Sequence, residues 1–241
     1  MLEYKDKINC MFLEVEHLGK VKLIPNARAR RVIIRFRDGE FQVTHPTVMK
    51  LAAIEELLLE KSTKLLTLKG NTQHDLTFTE DTQFATHTFE LRLTKSDLQG
   101  VYPTLKDGIL QISFPSYYDL KSKENQSYIR SIIESCCRSE AKRVLPDMVR
   151  ELAKLYGFKV SEIKINKSRS RWGSCSIEKN INLSYFCMML PNELIELIIL
   201  HELCHTVEMN HGERFWALLD KVTHGKSKEL TKQLRDFRLR W

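Results

Sequence analysis

The chain has 241 residues, 42% of them hydrophobic and 29% charged, the makeup of an ordinary globular protein with room for one large domain or two small ones. Its net charge of +7, from 38 basic and 31 acidic side chains, is a mild bias that favours solvated faces over a dedicated polyanion-binding surface. Residues 1–10 lack the apolar core of a secretory leader, the longest apolar run (194–200) contains Glu196 and is too short for a bilayer, and the six cysteines include no C-x-x-C pair, so a secreted, membrane-spanning or disulfide-framed protein is not expected.

Residues 1–120 read as a β-rich N-terminal domain. Short β-branched or alternating runs predict strands at 21–24, 31–36 and 40–43, with Asp38-Gly39 as a hairpin turn. Arg28, Arg30, Arg31, Arg35 and Arg37 cluster here. Strand alternation would put Arg31, Arg35 and Arg37 on one face, which keeps a phosphate-binding surface and a weak nucleic-acid affinity in view. Pro46 opens a helical pattern over 47–61, with Val48, Leu51, Ile54 and Leu58 on one stripe. Further strands are predicted at 65–68, 76–79, 84–93 and 109–114.

Residues 121–241 read as mostly helical. Ile129, Ile132, Ile133, Cys136 and Cys137 carry helix spacing over 122–144, Pro146 breaks or restarts that helix, and the continuation runs to Tyr156 and stops at Gly157. The adjacent pair Cys136 and Cys137 fits reduced thiols and a cytoplasmic setting. A strand at 162–166 precedes an antiparallel hairpin formed by 171–176, a turn at 178–180 and a strand at 181–186. Pro191 and Asn192 open the next helix. A short helix follows at 213–222, with Phe215, Trp216 and Leu219 inward. Leu230, Leu234, Phe237 and Trp241 mark a last apolar helix face, beside a second basic cluster from Lys221 to Arg240.

The chemistry concentrates in His201-Glu202-Leu203-Cys204-His205, at the end of an apolar helical run. Residues four apart on a helix stand one turn above each other, so His201 and His205 point the same way and supply two ligands of a catalytic zinc site. Glu202 lies where a carboxylate can reach an activated water. His211 completes the set only if the helix ends and the chain folds back. Asn210 and Gly212, which tolerate a left-handed helix-ending conformation, flank it. The spacing is that of H-E-x-x-H-x-x-G-x-x-H, with Glu208 in place of the Gly, so the turn is made differently. Glu208 supports a ligand, substitutes for His211, or is an exposed helix carboxylate.

In the segment 171–176, Trp172 is a core anchor and Gly173 permits a close backbone approach. Arg171 suits a substrate carboxylate or an oxyanion, and equally a structural acid. Arg171, Trp172 and Ser174 are the candidate substrate residues. Cys175 reads as structural, because a fourth protein ligand would close the site, and Cys204 as packing. His17, His45, His74, His87 and His224 lack ligand spacing.

Arg171 to Ser176, Ile181-Asn182-Leu183, Pro191, His201 to His205 and Asn210-His211-Gly212 with Phe215-Trp216 together resemble the YgjP-like metallopeptidase domain family, as do Arg28 to Gly39 and Leu145-Pro146. The resemblance covers most of the chain. It implies an α+β fold in which a zincin-like helical C-terminal domain with a small antiparallel hairpin follows the β-rich domain. It also implies zinc held by His201, His205 and His211, with Glu202 catalytic.

Three functions follow as expectations. The first is zinc-dependent hydrolysis of a peptide or protein substrate, with zinc-activated water and Glu202 as general base. The second is hydrolysis of a nucleoside triphosphate, using Arg169 and Arg171 for the phosphates. The third is a latent or nucleic-acid-binding zinc protein. The sequence leaves the oligomeric state open.

Overall fold

The computed structural model describes residues 11–37, 40–63, 65–66, 76–239 and 241. Its contacts divide the chain into two compact units, Met1–Asp75 and Leu76–Leu239 with Trp241. The break expected at residue 120 falls inside the second unit, because the sheet at 90–115 shares a core with the long helix after it. Among the described residues the fold is mixed α+β, with three small mixed sheets and five α-helices. No helix among them is long and apolar enough to cross a membrane.

The first unit holds β1 (Met11–Val15), β2 (Gly19–Pro25), β3 (Ile33–Arg37), β4 (Glu40–His45) and α1 (Leu51–Glu60). The sheet order is β1-β2-β4-β3, with β2 and β4 parallel and the outer pairs antiparallel. Strand β1 was not legible in the sequence. Asp38 and Gly39 lie outside the described residues. Arg31 precedes β3, so it does not share a strand face with Arg35. Residues after Pro46 form a turn, with the Met49 N–H donating to the Pro46 carbonyl, and the helix starts only at Leu51. Val48 is therefore 91% exposed and Leu51 is exposed, while Ile54 and Leu58, one turn apart, close the core against Val21, Leu23, Phe41 and Val43.

The second unit opens with β5 (Glu90–Ser96), β6 (Tyr102–Lys106) and β7 (Ile109–Pro115), in the order β5-β7-β6. The strand expected at 84–93 starts only at Glu90. Residues 76–79 are not a strand, and Leu65 is helical. Asp107 and Gly108, both at positive φ, make the tight turn between β6 and β7.

Helix α2 (Lys123–Tyr156) is one continuous 34-residue helix. The Ser122 hydroxyl caps it by accepting the Asn125 N–H, and Gly157 at φ +75° ends it. Pro146 does not break it. The fully buried stripe Ala141, Leu145 and Val149 spans the proline, and that packing outweighs one lost backbone bond.

Strands β8 (Ile163–Asn166), β9 (Gly173–Cys175) and β10 (Ile181–Ser184) form a sheet in the order β8-β10-β9. The expected hairpin is present, with β8 added parallel to β10. Residues 185–189 are a buried 3-10 helix, not the end of a strand. Helices α3 (Asn192–Cys204), α4 (Glu213–Val222) and α5 (Ser227–Asp236) complete the unit. Phe237 leaves the helix extended, and the Trp241 ring instead packs edge-on against Phe78.

In the first half of α2, Glu134 accepts from Lys167 (2.7 Å), Arg169 (2.8 Å), the Tyr185 hydroxyl (2.8 Å) and the Trp241 indole (3.0 Å). Burial pushes its carboxyl up, but the four donations outweigh that and hold it at about 2. A depressed carboxyl stabilises the fold fully above its ordinary value of 4.5 and loses that contribution as the pH falls toward 2. Glu134→Gln is expected to cost about 2 kcal/mol at pH 7, since hydrogen bonds to charge are strong but exposed Lys167 and Arg169 are screened. Urea midpoints of both proteins at pH 7 and pH 3 check this. The gap should narrow at pH 3, and an equal gap would reject its ionic origin.

Candidate metal centre

Helix α3 is apolar nearly all round, as befits a helix inside a core. Packing of Leu194, Ile195, Leu197, Ile198 and Ile199 fixes its rotation, and this aims the polar residues of its last turn into one hollow. The helix ends at Cys204 with His205 as its cap. The last turn then tightens, with Thr206 and Val207 N–H groups donating to the Leu203 and Cys204 carbonyls and the Thr206 hydroxyl to Leu203. Neither Asn210 nor Gly212 is left-handed, and Gly212 is extended at φ −81°. The reversal expected of those two residues is thus made earlier, by the tightened turn.

The reversal brings the three imidazoles together. Their Nε2 atoms stand 3.2 Å (His201 to His205), 3.1 Å (His205 to His211) and 3.0 Å (His201 to His211) apart. Nitrogens bound about 2.0–2.1 Å from a tetrahedral zinc stand about 3.3 Å from one another, so the set fits that ion with little adjustment. His205 Nδ1 lies 3.1 Å from the Glu208 carbonyl. A carbonyl only accepts, so the proton is on Nδ1 and the Nε2 lone pair faces the other two rings. Glu208 thus holds the His205 ring through its backbone carbonyl, and its carboxylate is not in the donor cluster. Burial, then the neighbouring imidazoles, push His201 down to about 4, and burial also lowers His205. Neutral imidazole is the metal-binding form.

Phe215 forms the floor of the triad. It is fully buried, stacks on His205 at 4.5 Å and meets His211 edge-on at 4.7 Å. Its position four residues after His211 was a readable spacing, and the sequence reading placed it only as core. Trp216, also expected inward, is 40% exposed, and its indole N–H donates to the His211 carbonyl at 3.1 Å. Leu219 is buried as expected.

Glu202 shares the hollow of about 270 Å³ with the three histidines, Ser174 and Cys175. It is 6% exposed. Burial raises its carboxyl to about 7, with the Arg171 guanidinium pulling the other way. A carboxyl poised there suits proton transfer at neutral pH. Gly173 presses against it: a Cβ at that position would lie 2.7 Å from Glu202 Oε1. Ser174 pairs with Asn182 in the hairpin, Trp172 is half-buried, and Arg171 is exposed beside Glu202. Cys175 lines the hollow but is not in the donor cluster, and buried Cys204 packs in the core. Among the described residues no other histidine joins the cluster, and His74 lies outside them.

A family model described as YgjP-like, metallopeptidase domain, matches residues 30–237. No curated protein matches the sequence. Among solved structures, the chain is similar to the metallopeptidase zymogen abylysin of Pyrococcus abyssi, with 22% identity over 38% of this chain and 91% of that one and a TM-score of 0.35. It is also similar to the metallopeptidase zymogen jannalysin of Methanocaldococcus jannaschii, with 27% identity over 37% and 92% and a TM-score of 0.34.

Proposed function

Because the chain belongs to the YgjP-like metallopeptidase domain family, we propose that it is a zinc-dependent peptidase in which His201, His205 and His211 hold the metal and Glu202 is the general base. The observation that carries this reading is the convergence of three ring nitrogens beside a buried carboxylate, with no fourth protein donor among the described residues. Three protein ligands are the pattern of catalytic zinc, and four that of structural zinc.

Zinc held there supplies a Lewis acid that lowers the pKa of water toward 7 and polarises a carbonyl. Glu202 accepts the proton of the attacking water at a carboxylate oxygen and returns it to the leaving amine nitrogen. The Glu208 carbonyl keeps His205 in the tautomer that binds a cation, and Phe215 holds the rings in place. Strand β9 is at the edge of its sheet, so its free backbone groups suit an extended peptide laid down as a further strand. Arg171, Trp172 and Ser174 flank that strand as substrate contacts. The described cysteines are all free thiols, which fits a reducing compartment such as the cytoplasm.

Zinc-loaded protein is expected to cleave peptides, to lose at least about 99% of the rate when stripped by a chelator, and to regain it on zinc addition. Mass spectrometry of a peptide library and a nucleoside triphosphate panel reads the products. New amino termini support a peptidase. Phosphate release without them overturns it in favour of the nucleotide hydrolase.

A further inference from the structure

The hollow around the catalytic residues does not end there. Thr231 and Leu234 of α5 wall a hollow of about 290 Å³ that also contains His201 and Glu202. Thr231 is shared with a larger hollow of about 570 Å³ between α4 and α5. The inner wall of the larger hollow is Trp216, whose ring lies 5.9 Å from the His211 ring. Its outer wall is Lys228, Lys232 and Arg235.

Those three cations are not scattered surface charge. They fall at i, i+4 and i+7 of α5, on one stripe with Thr231 between them. The acids of the same helix are engaged elsewhere or weakly. Glu229 accepts from Gln233, and Asp236 stands 3.9 Å from Arg235 in an exposed pair. Among the described residues Lys228 and Lys232 make no ion pair. The one acid in the hollow, Asp220, accepts the Ser227 hydroxyl at 2.6 Å. A broad indole face with three cations around it matches a ligand that has an aliphatic stem and an anionic tip.

We propose that this hollow is a substrate subsite selecting peptides with an acidic side chain close to the scissile bond, its methylenes on Trp216 and its carboxylate against Lys228, Lys232 and Arg235. The assignment rests on the peptidase reading above and names the substrate class for that site. Opposite charge at an open rim gives selectivity and a salt-sensitive rate.

The test walks a single Glu through a neutral peptide, each peptide paired with its Gln counterpart. Wild-type protein should favour one or two Glu positions by about tenfold in kcat/KM at low salt. The ratio should fall to about one in Lys228→Ala/Lys232→Ala/Arg235→Ala, and Lys228→Glu/Lys232→Glu/Arg235→Glu should turn the preference toward a Lys peptide. Equal cleavage of Glu and Gln peptides by the wild type, or a preference that survives both variants, overturns the subsite. If no peptide is cleaved, the peptidase reading fails and binding decides the subsite separately. Fluorescence anisotropy of the labelled pairs on Glu202→Gln protein should then show salt-sensitive retention of the Glu peptide alone, lost when the three cations are also replaced. Equal or absent retention, or a single-stranded oligonucleotide held in its place, overturns the subsite.

Discussion

Glu202→Gln is expected to lower peptide hydrolysis by about 10²–10⁴-fold, the usual contribution of a general base, while zinc still binds. Gln has nearly the shape of Glu, so the buried position and its contact with Gly173 are retained. It has no useful proton affinity, and nothing else in the hollow replaces it. Ser174 is a poor base. Burial raises the Cys175 thiol, which keeps it protonated. The three imidazoles are untouched, so zinc content measured by elemental analysis should stay at the wild-type level. The variant should also melt no lower than the wild type, because a buried carboxyl is costly to hold and a neutral amide less so. Near-normal kcat/KM with bound zinc would reject Glu202 as the base. Loss of zinc together with activity would make it a ligand instead.

The second large effect is expected from the smallest substitution. In Gly173→Ala, the new methyl would stand 2.7 Å from Oε1, 2.8 Å from Cγ and 3.0 Å from Cδ of Glu202, the first two closer than real contacts allow. The strand cannot easily withdraw, because Gly173 is paired with Leu183 and Ser174 with Asn182. The carboxylate must swing instead, and a displacement of about 1 Å in a catalytic group costs about 10²-fold in rate. Overpacking should add about 1–3 kcal/mol of destabilisation. Zinc affinity should change little, since the three atoms nearest the new methyl all belong to Glu202. Steady-state kinetics beside thermal melting separates the two losses. A rate within twofold of wild type would show that Glu202 has room to move and that its position is not tightly held.

The clustering of the three histidines was more legible than the fold around it. The H-E-x-x-H spacing and the third histidine are local in sequence, and helix geometry alone says that His201 and His205 share a face. The turn that delivers His211 was misread. It depends on i to i+3 bonds at the end of α3, which compete with left-handed residues and leave no compositional mark. Pro146 was read as a breaker for a related reason. A local rule met a fully buried stripe on both sides, and the packing of Leu145 and Val149 prevailed. Trp241 was placed on a helix face, whereas its partners Phe78 and Glu134 lie more than a hundred residues away and no short-range pattern could name them. The expected boundary at residue 120 followed a change of composition, while the compact units follow contacts.

The three clustered imidazoles all come from residues 201 to 211, so an ion bound by them would close only a short loop. Short loops cost little entropy to close, and the helices behind this one are already packed. An ion there would therefore act on the fold through its own affinity for the folded state, by mass action, and little through the entropy of closing the chain. On the proposed reading, the melting temperature of the protein would rise with the free zinc concentration.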